Sequence, residues 1–185
     1  MRVGVLALQG AVREHLRAVK RLGHTGVEVR LPEHLEGLSA IILPGGESTA
    51  MRRLLDKAGL MLPLRDFASK RPTLGTCAGA ILLAKRIGPS PEEPVLGVLD
   101  VTVHRNAYGS QLDSFTCRAE VAGLPDFPLV FIRAPRFTDL GPGVRPLALC
   151  NEQIVGVRAG HVWALAFHPE LTEDLRLHEM FLLPE

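Results

Sequence analysis

A cysteine between two glycines is the residue of this sequence best suited to nucleophilic chemistry. Cys77 lies at the centre of residues 75–79, GTCAG, which lead into the apolar residues 81–84. This G-x-C-x-G pattern is typical of a nucleophile elbow, where a strand turns abruptly into a helix and the glycines relieve crowding. The positive end of the helix dipole would favour the thiolate. The pentapeptide alone fits a buried core cysteine equally well, so other residues must decide.

A histidine and a carboxylate near the end of the chain supply the groups that a cysteine nucleophile needs. His168 and Glu170 follow the apolar residues 162–166. Two residues apart in an extended segment, both side chains face the same side. A base takes the thiol proton, and a carboxylate fixes the imidazole tautomer. These residues therefore predict a Cys-His-Glu triad of Cys77, His168 and Glu170.

The other histidines and cysteines lack such partners. His104 has no adjacent carboxylate, and Cys117 and Cys150 lie in predicted strands as inert core thiols. The three cysteines include no C-x-x-C pair, which argues against a disulfide framework and against a zinc site. We predict that the remaining histidines are solvated: His15, His24, His34, His161 and His178.

A glycine pair predicts a second part of the site. Residues 44–49, PGGEST, follow the predicted buried strand 40–43 and lead into a helix that Ser48 is expected to cap. Two glycines leave backbone N–H groups unshielded at a helix start, where they can bind an anion or an oxyanion. The P-loop pattern G-x-x-x-x-G-K-[ST] is absent, which excludes that phosphate site.

The apolar periodicity predicts a three-layer α/β fold, flavodoxin-like, with a mostly parallel sheet and helices on both faces. Continuous apolar runs are typical of strands buried on both faces. The predicted elements are strands at 3–8, 27–29 and 40–43, a fourth strand before Cys77, and helices at 11–22, 48–55 and 60–69. An antiparallel extension is predicted in the second half, with strands at 96–103, 114–121, 129–132, 154–158 and 161–167, then a helix that Thr172 caps.

The elements bring the candidate residues together. Ligands of open parallel sheets bind beyond the carboxyl ends of the strands. Gln9, residues 45–47 and Cys77 all follow such ends, so one crevice should hold them.

Composition narrows the classes of partner and compartment. The 185 residues fit one domain over 1–185, and Lys+Arg 21 against Asp+Glu 20 gives net charge +1. This near-neutral net charge shows no excess of positive charge of the kind that binds nucleic acid or an anionic membrane. No apolar run approaches the roughly 20 residues of a membrane helix, and nothing resembles a signal peptide. With no disulfide pattern, a reducing cytoplasm is expected.

Together these motifs resemble the class I, or triad, glutamine amidotransferases, and among them the glutaminase subunits of pyridoxal 5′-phosphate synthases. Tyr108 stands where that family often has phenylalanine. The matching blocks span the chain: 8–15 (LQGAVREH), 43–49 (LPGGEST), 75–79 (GTCAG), 105–109 (RNAYG) and 167–174 (FHPELTED).

The resemblance implies hydrolysis of L-glutamine to L-glutamate and ammonia through a γ-glutamyl thioester on Cys77. It implies an oxyanion hole from the N–H groups of Gly46 and Ala78. It further implies glutamine contacts from a set of residues that comprises Gln9, Gly46, Glu47, Ser48, Arg105, Ile132 and Arg133. Arg105 suits the α-carboxylate, and Glu47 suits the α-ammonium.

The resemblance also implies a partner, a (β/α)₈-barrel synthase subunit that receives the ammonia in a large hetero-oligomer. It implies no metal and no bound cofactor on this chain. Two other hypotheses stay open. One is a DJ-1/PfpI-like cysteine hydrolase, which shares the elbow but would lack the late histidine-glutamate pair, and the other is a non-catalytic binding domain on the same fold.

Overall fold

The computed structural model describes residues 1–89, 95–105 and 114–183. The first half alternates strands and helices: β1 (Arg2–Leu6), α1 (Val12–Arg21), β2 (Thr25–Val29), β3 (Ala40–Leu43), α2 (Ser48–Lys57), α3 (Met61–Lys70), β4 (Thr73–Thr76) and α4 (Ala78–Leu83). The second half is mostly strands: β5 (Ala84–Gly88), β6 (Leu99–His104), β7 (Ser114–Val121), β8 (Leu124–Ile132), β9 (Arg136–Thr138), β10 (Arg145–Cys150), β11 (Gln153–Ala159), β12 (Val162–Leu165) and the helix α5 (Arg176–Leu182). Short 3₁₀ helices lie at Pro32–Leu35 and Pro169–Leu171.

Two sheets are formed by the described strands. The larger has the order β2-β1-β3-β4-β12-β11-β10-β7-β8, and the smaller has the order β5-β6-β9. From β2 to β12 the neighbours are parallel, and from β12 to β8 they are antiparallel. The prediction of an α/β fold with a parallel sheet and an antiparallel extension is confirmed.

The parallel strands are apolar because both of their faces are covered. Every residue of β3 is buried, as is every residue of β4 and of β12. Helix α1 turns Ala18 and Val19 into the core. At roughly 25 cal/mol per Å² of apolar surface removed from water, such strands stabilise the centre of the sheet on which the site is built.

The last helix differs from the prediction. It begins at Arg176, and Thr172 does not cap it. The Thr172 hydroxyl instead donates to the Pro169 carbonyl at 3.0 Å, and its oxygen lies 3.3 Å from the Asp174 N–H. Such local side-chain bonds to the backbone compete with helix formation, which delays the helix by one turn.

The sequence did not predict β5 or β9, and of β10 it predicted only that Cys150 lies in a strand. Most of the RNAYG block lies outside the described residues, which include only its Arg105.

Among the helices that the structure describes, none is long and apolar enough to span a bilayer.

Candidate active site

Cys77 occupies the abrupt turn between β4 and α4, as the G-x-C-x-G pattern predicts. Its φ of 49° and ψ of −105° are strained for a non-glycine residue, and its N–H donates to the Leu165 carbonyl of β12 at 2.8 Å. The side chains around this turn must be small: a Cβ on Gly75 would lie 2.6 Å from the Gly79 carbonyl oxygen. Backbone strain of this kind at a buried cysteine is typical of a functional site.

His168 follows β12 and contacts Glu170 directly. Its Nδ1 lies 2.7 Å from Glu170 Oε1, and both residues are buried. The segment between them is not extended, as the sequence spacing suggested, because a 3₁₀ turn begins at Pro169. This turn brings the carboxylate back against the imidazole, which fixes Nδ1 as the protonated nitrogen facing Glu170.

Gly45 lies between Cys77 and His168, two members of the predicted triad. A Cβ at this glycine would lie 3.0 Å from His168 Nδ1 and 3.4 Å from the Cβ of Cys77. The imidazole and the cysteine therefore pack against the same backbone position at the end of β3. Any larger residue at position 45 would displace His168, so glycine is required here by close approach.

The electrostatics of this group favour a protonated His168. Burial alone would lower the pKa of His168, but the interaction with Cys77 and the hydrogen bond to Glu170 raise it to about 10. Burial alone would likewise raise the pKa of Glu170, yet the nearby His15 and His168 hold it below its usual range. A carboxylate beside an imidazolium is the charge arrangement that stabilises a cysteine thiolate.

Replacing Glu170 with glutamine should lower the pKa of His168. Because the folded pKa is raised above 6.5, protonation of His168 stabilises the fold below pH 6.5, and that contribution is lost as the pH rises through about 10. Without the carboxylate, this loss should move to lower pH. NMR titration of labelled imidazoles measures the change directly. Glu173→Gln, at a side chain that is 87% exposed, is the matched control. Equal His168 pKa values in the two variants would show that Glu170 does not raise the pKa of His168.

The loop after β3 is held by the loop after β1. Gln9 Oε1 accepts a hydrogen bond from the Glu47 N–H at 2.8 Å, and the Gly45 carbonyl accepts one from the Ala11 N–H at 3.1 Å. A Cβ on Gly10, whose φ is +97°, would overlap that carbonyl oxygen. These contacts place Gly46 beside Gln9, at the rim of the Cys77 site.

Glu47, not Ser48, caps helix α2. Its carboxylate accepts hydrogen bonds from the N–H groups of Thr49 at 2.8 Å and Ala50 at 2.7 Å. The bond from Thr49 is the largest cause of the lowered pKa of Glu47, and the positive charge of Arg105 contributes to it. Arg105 is thus within electrostatic range of Glu47. Ser48 is the first helical residue and is buried.

The end of β8 closes the other side of the cysteine. Cys77 Sγ lies 3.6 Å from the Ile132 carbonyl oxygen, and the His168 N–H donates to the Val130 carbonyl at 2.8 Å. The end of β8, the edge strand of the antiparallel extension, therefore contacts both Cys77 and His168. Ile132 and Arg133 are both exposed, and Arg133 has a φ of 45°.

The comparisons with known proteins agree on one family. The model of the SNO glutamine amidotransferase family matches residues 5–184. The chain belongs to this family. Pyridoxal 5′-phosphate synthase subunit PdxT of Deinococcus radiodurans is 57% identical, over 98% of this chain and 96% of that protein. The subunit of the same name from Geobacillus kaustophilus is 53% identical, over 98% of this chain and 93% of that protein.

Solved structures support the same assignment. A crystal structure of a glutamine amidotransferase aligns with a TM-score of 0.92 at 54% identity, covering 97% of this chain and 96% of that one. PurLQS from Thermotoga maritima aligns with a TM-score of 0.65 at 18% identity, covering 95% of this chain and 91% of that one. The second likeness shows that the fold is shared.

Two histidines of this amidotransferase contradict the sequence prediction. His15 and His178 are fully buried rather than solvated. A helical period could have revealed both of them, because His15 lies four residues before the buried Val19, and His178 lies three before the buried Phe181.

Within residues 1–89, 95–105 and 114–183, no cluster of three or more His, Cys, Asp or Glu side chains could hold a metal ion.

Proposed function

We propose that this chain is the glutaminase subunit of a pyridoxal 5′-phosphate synthase and hydrolyses L-glutamine through a Cys77-His168-Glu170 triad. The observation that carries the proposal is the position of His168, which is held by a buried Glu170 and packed with Cys77 around Gly45. Relatives that span nearly the whole chain are named pyridoxal 5′-phosphate synthase subunit PdxT, and this supports the choice of pathway.

The first half-reaction forms a thioester. The Cys77 thiolate attacks the side-chain amide carbon of glutamine, and the carbonyl π electrons move onto oxygen. The N–H groups of Gly46 and Ala78 hold this oxyanion, and one such donor contributes about 3–4 kcal/mol to the stability of the transition state. His168 then donates its Nε2 proton to the leaving nitrogen, so that ammonia departs and the γ-glutamyl thioester remains.

The second half-reaction releases glutamate. Neutral His168 removes a proton from water as the water oxygen attacks the thioester carbon, and the same two N–H groups bind the new oxyanion. Collapse of the intermediate breaks the carbon–sulfur bond and restores the thiolate beside the imidazolium. Glu170 keeps the imidazole in one orientation through both steps.

The charges near Cys77 suit the zwitterionic end of glutamine. Arg105 would bind the α-carboxylate. Glu47 would bind the α-ammonium through carboxylate lone pairs that do not take part in capping α2. Ser48, Ile132 and Arg133 would complete the contacts. Gln9 contributes indirectly, since it holds the N–H of Glu47 and with it the loop that carries Gly46.

Ammonia released into water would be protonated and would lose its nucleophilicity. We therefore infer that the chain docks on a (β/α)₈-barrel synthase subunit in a large cytoplasmic hetero-oligomer, which receives the ammonia. The Gly45-Gly46 peptide, whose carbonyl is bound by Ala11, is the natural place for that partner to change the oxyanion hole.

Ammonia release from glutamine tests the function. We expect turnover of L-glutamine and none of L-asparagine, because the γ-amide must reach Cys77 while Arg105 and Glu47 hold the other end. Addition of the barrel subunit should raise the rate and should incorporate the amide nitrogen of labelled glutamine into the synthase product.

Two outcomes would contradict this function. Binding of the barrel subunit with no ammonia release would favour the non-catalytic binding domain. Hydrolysis of other substrates without glutamine turnover would favour a DJ-1/PfpI-like hydrolase, which the family match already disfavours.

A further inference from the structure

A pair of buried histidines lies directly behind the triad. His15 from α1 and His178 from α5 are both fully buried, although 163 residues separate them in the chain. His15 Nδ1 is 3.1 Å from His178 Nε2, and the two ring centroids are 5.3 Å apart. We call these two residues the histidine pair. Burial of two imidazoles in contact is costly unless their nitrogens have hydrogen-bond partners.

His15 of the histidine pair lies against Glu170 and against the strand residue that precedes Cys77. His15 Nε2 is 3.5 Å from Glu170 Oε2 and 3.3 Å from Thr76 Oγ1. Glu170 uses its other oxygen, Oε1, to bind His168. Thr76 is the residue immediately before Cys77. One imidazole therefore faces the carboxylate that orients the base and the hydroxyl that precedes the nucleophile.

The hydrogen-bond pattern selects one tautomer for each ring. If His178 donates from Nε2 to His15 Nδ1, then His15 carries its proton on Nε2 and directs it at Glu170 Oε2 and Thr76. The reverse arrangement would point a lone pair of His15 Nε2 at the Glu170 carboxylate. His178 Nδ1 has no partner among the described residues in either arrangement, so the contact between His15 and Glu170 decides between them. The first arrangement, which directs an N–H at the carboxylate, is therefore favoured.

Both rings are neutral at physiological pH. Burial lowers the pKa of His178 to about 3, and burial is also the main cause of the lowered pKa of His15. The charged and titratable groups that act on His15 are Glu14 on its own helix, His178 on α5, and Glu170 and His168 after β12. Because His15 is neutral, it acts on Glu170 as an N–H dipole and not as a full charge.

We propose that His15 is a positioning residue for the triad: its Nε2–H faces Glu170 Oε2 and Thr76 Oγ1, and His178 fixes that tautomer. This inference rests on the proposed function for its kinetic consequences. At 3.5 Å the contact with Glu170 is longer than a good hydrogen bond. It limits rotation of the carboxylate electrostatically, and so keeps Oε1 on His168. Glu170 Oε2 has no hydrogen-bond partner among the described residues, so this imidazole is well placed to orient it.

Substitution of His15 separates positioning from packing. His15→Leu keeps an apolar side chain of similar size but removes the N–H. We expect kcat to fall about 10- to 100-fold, as for other residues that orient a catalytic side chain from behind, with KM for glutamine within about twofold. Loss of the N–H should raise the pKa of Glu170, so the acid limb of the kcat/KM profile should move to higher pH.

A conservative variant and a control make the test specific. In His15→Gln the side-chain amide nitrogen lies near the position of Nε2, so this variant should recover most of kcat and the normal pH profile. His161→Leu removes a half-buried histidine that contacts the Ala68 carbonyl, and it should leave both unchanged. Equal kcat and pH profiles in His15→Leu and the wild type would overturn the inference. So would a loss of kcat that the His15→Gln variant does not recover and that leaves the pH profile unmoved.

The tautomer is measurable without any variant or activity. In ¹⁵N-labelled wild-type protein, the imidazole nitrogen shifts should show both His15 and His178 protonated on Nε2 between about pH 6 and 8. A proton on His15 Nδ1 would overturn the inference even if glutamine is hydrolysed. Conversely, failure of the wild type to release ammonia would reject the proposed function while the tautomer result stands by itself.

Discussion

Replacing Cys77 with alanine is expected to abolish ammonia release from glutamine, with a fall in kcat on the order of 10⁵- to 10⁶-fold. The reason is that no other described thiol is available to the imidazole. Cys150 is buried in β10, and burial together with contact to Cys150 raises the pKa of Cys117 to about 12. Coupled glutamate dehydrogenase detection of product glutamate measures the loss, with the synthase subunit present.

Cys150→Ala is the matched control for that prediction. It also removes a buried thiol, and it should retain glutaminase activity because Cys150 ends β10, which β11 separates from β12 in the sheet. Residual turnover in Cys77→Ala equal to that of the control would mean that the elbow cysteine is structural. Binding of glutamine should survive in Cys77→Ala, since the residues proposed to hold the α-amino acid group are unchanged.

Replacing Gly79 with alanine is expected to lower the free energy of unfolding by at least about 2 kcal/mol, because overpacking against a rigid neighbour costs this much. Helix propensity alone predicts the opposite sign, a gain of about 1 kcal/mol, since alanine is the better helix former. The structure decides between them. A Cβ on Gly79 would overlap the carbonyl oxygen of Leu43 in β3, which the backbone of α4 approaches directly.

Gly26→Ala controls for the general effect of adding a methyl group. The added Cβ there would lie 2.7 Å from a terminal methyl of Leu16, which can rotate away, and the change in stability should stay within about 1 kcal/mol. Urea unfolding of both variants compares them. A Gly79→Ala variant more stable than the wild type would show that α4 does not pack against β3 as described.

Local patterns were sufficient to predict most of the parallel half. The continuous apolar run of β3 predicted its correct bounds, and the glycine spacing of residues 75–79 predicted the strand-turn-helix geometry at Cys77. The carboxyl-end rule placed Cys77 and residues 45–47 in one crevice, because parallel neighbours end at the same edge of the sheet. Gly45, the first residue of that segment, packs against both Cys77 and His168.

Contacts between distant residues could not be predicted in this way. His15 and His178 looked like surface residues because each is a polar side chain whose partner lies far away in the sequence. Helical spacing places both on a buried face, but their contact with each other and with Glu170 depends on the packing of α1 and α5, which no local pattern encodes. The helix cap at Glu47 was missed for another reason: short side chains such as Ser48 are the preferred caps, and only the observed backbone shows that the longer carboxylate reaches two N–H groups.

The most direct test of Cys77 as the nucleophile is mass spectrometry of the protein during turnover. The complex with its synthase subunit is mixed with glutamine, quenched in acid and digested. We predict that the peptide containing Cys77 carries one added γ-glutamyl group, that hydroxylamine removes it, and that Glu170→Gln changes the amount that accumulates. A complex that turns over glutamine with no adduct on any cysteine under varied quench times, or with the adduct on Cys117 or Cys150, would contradict the account.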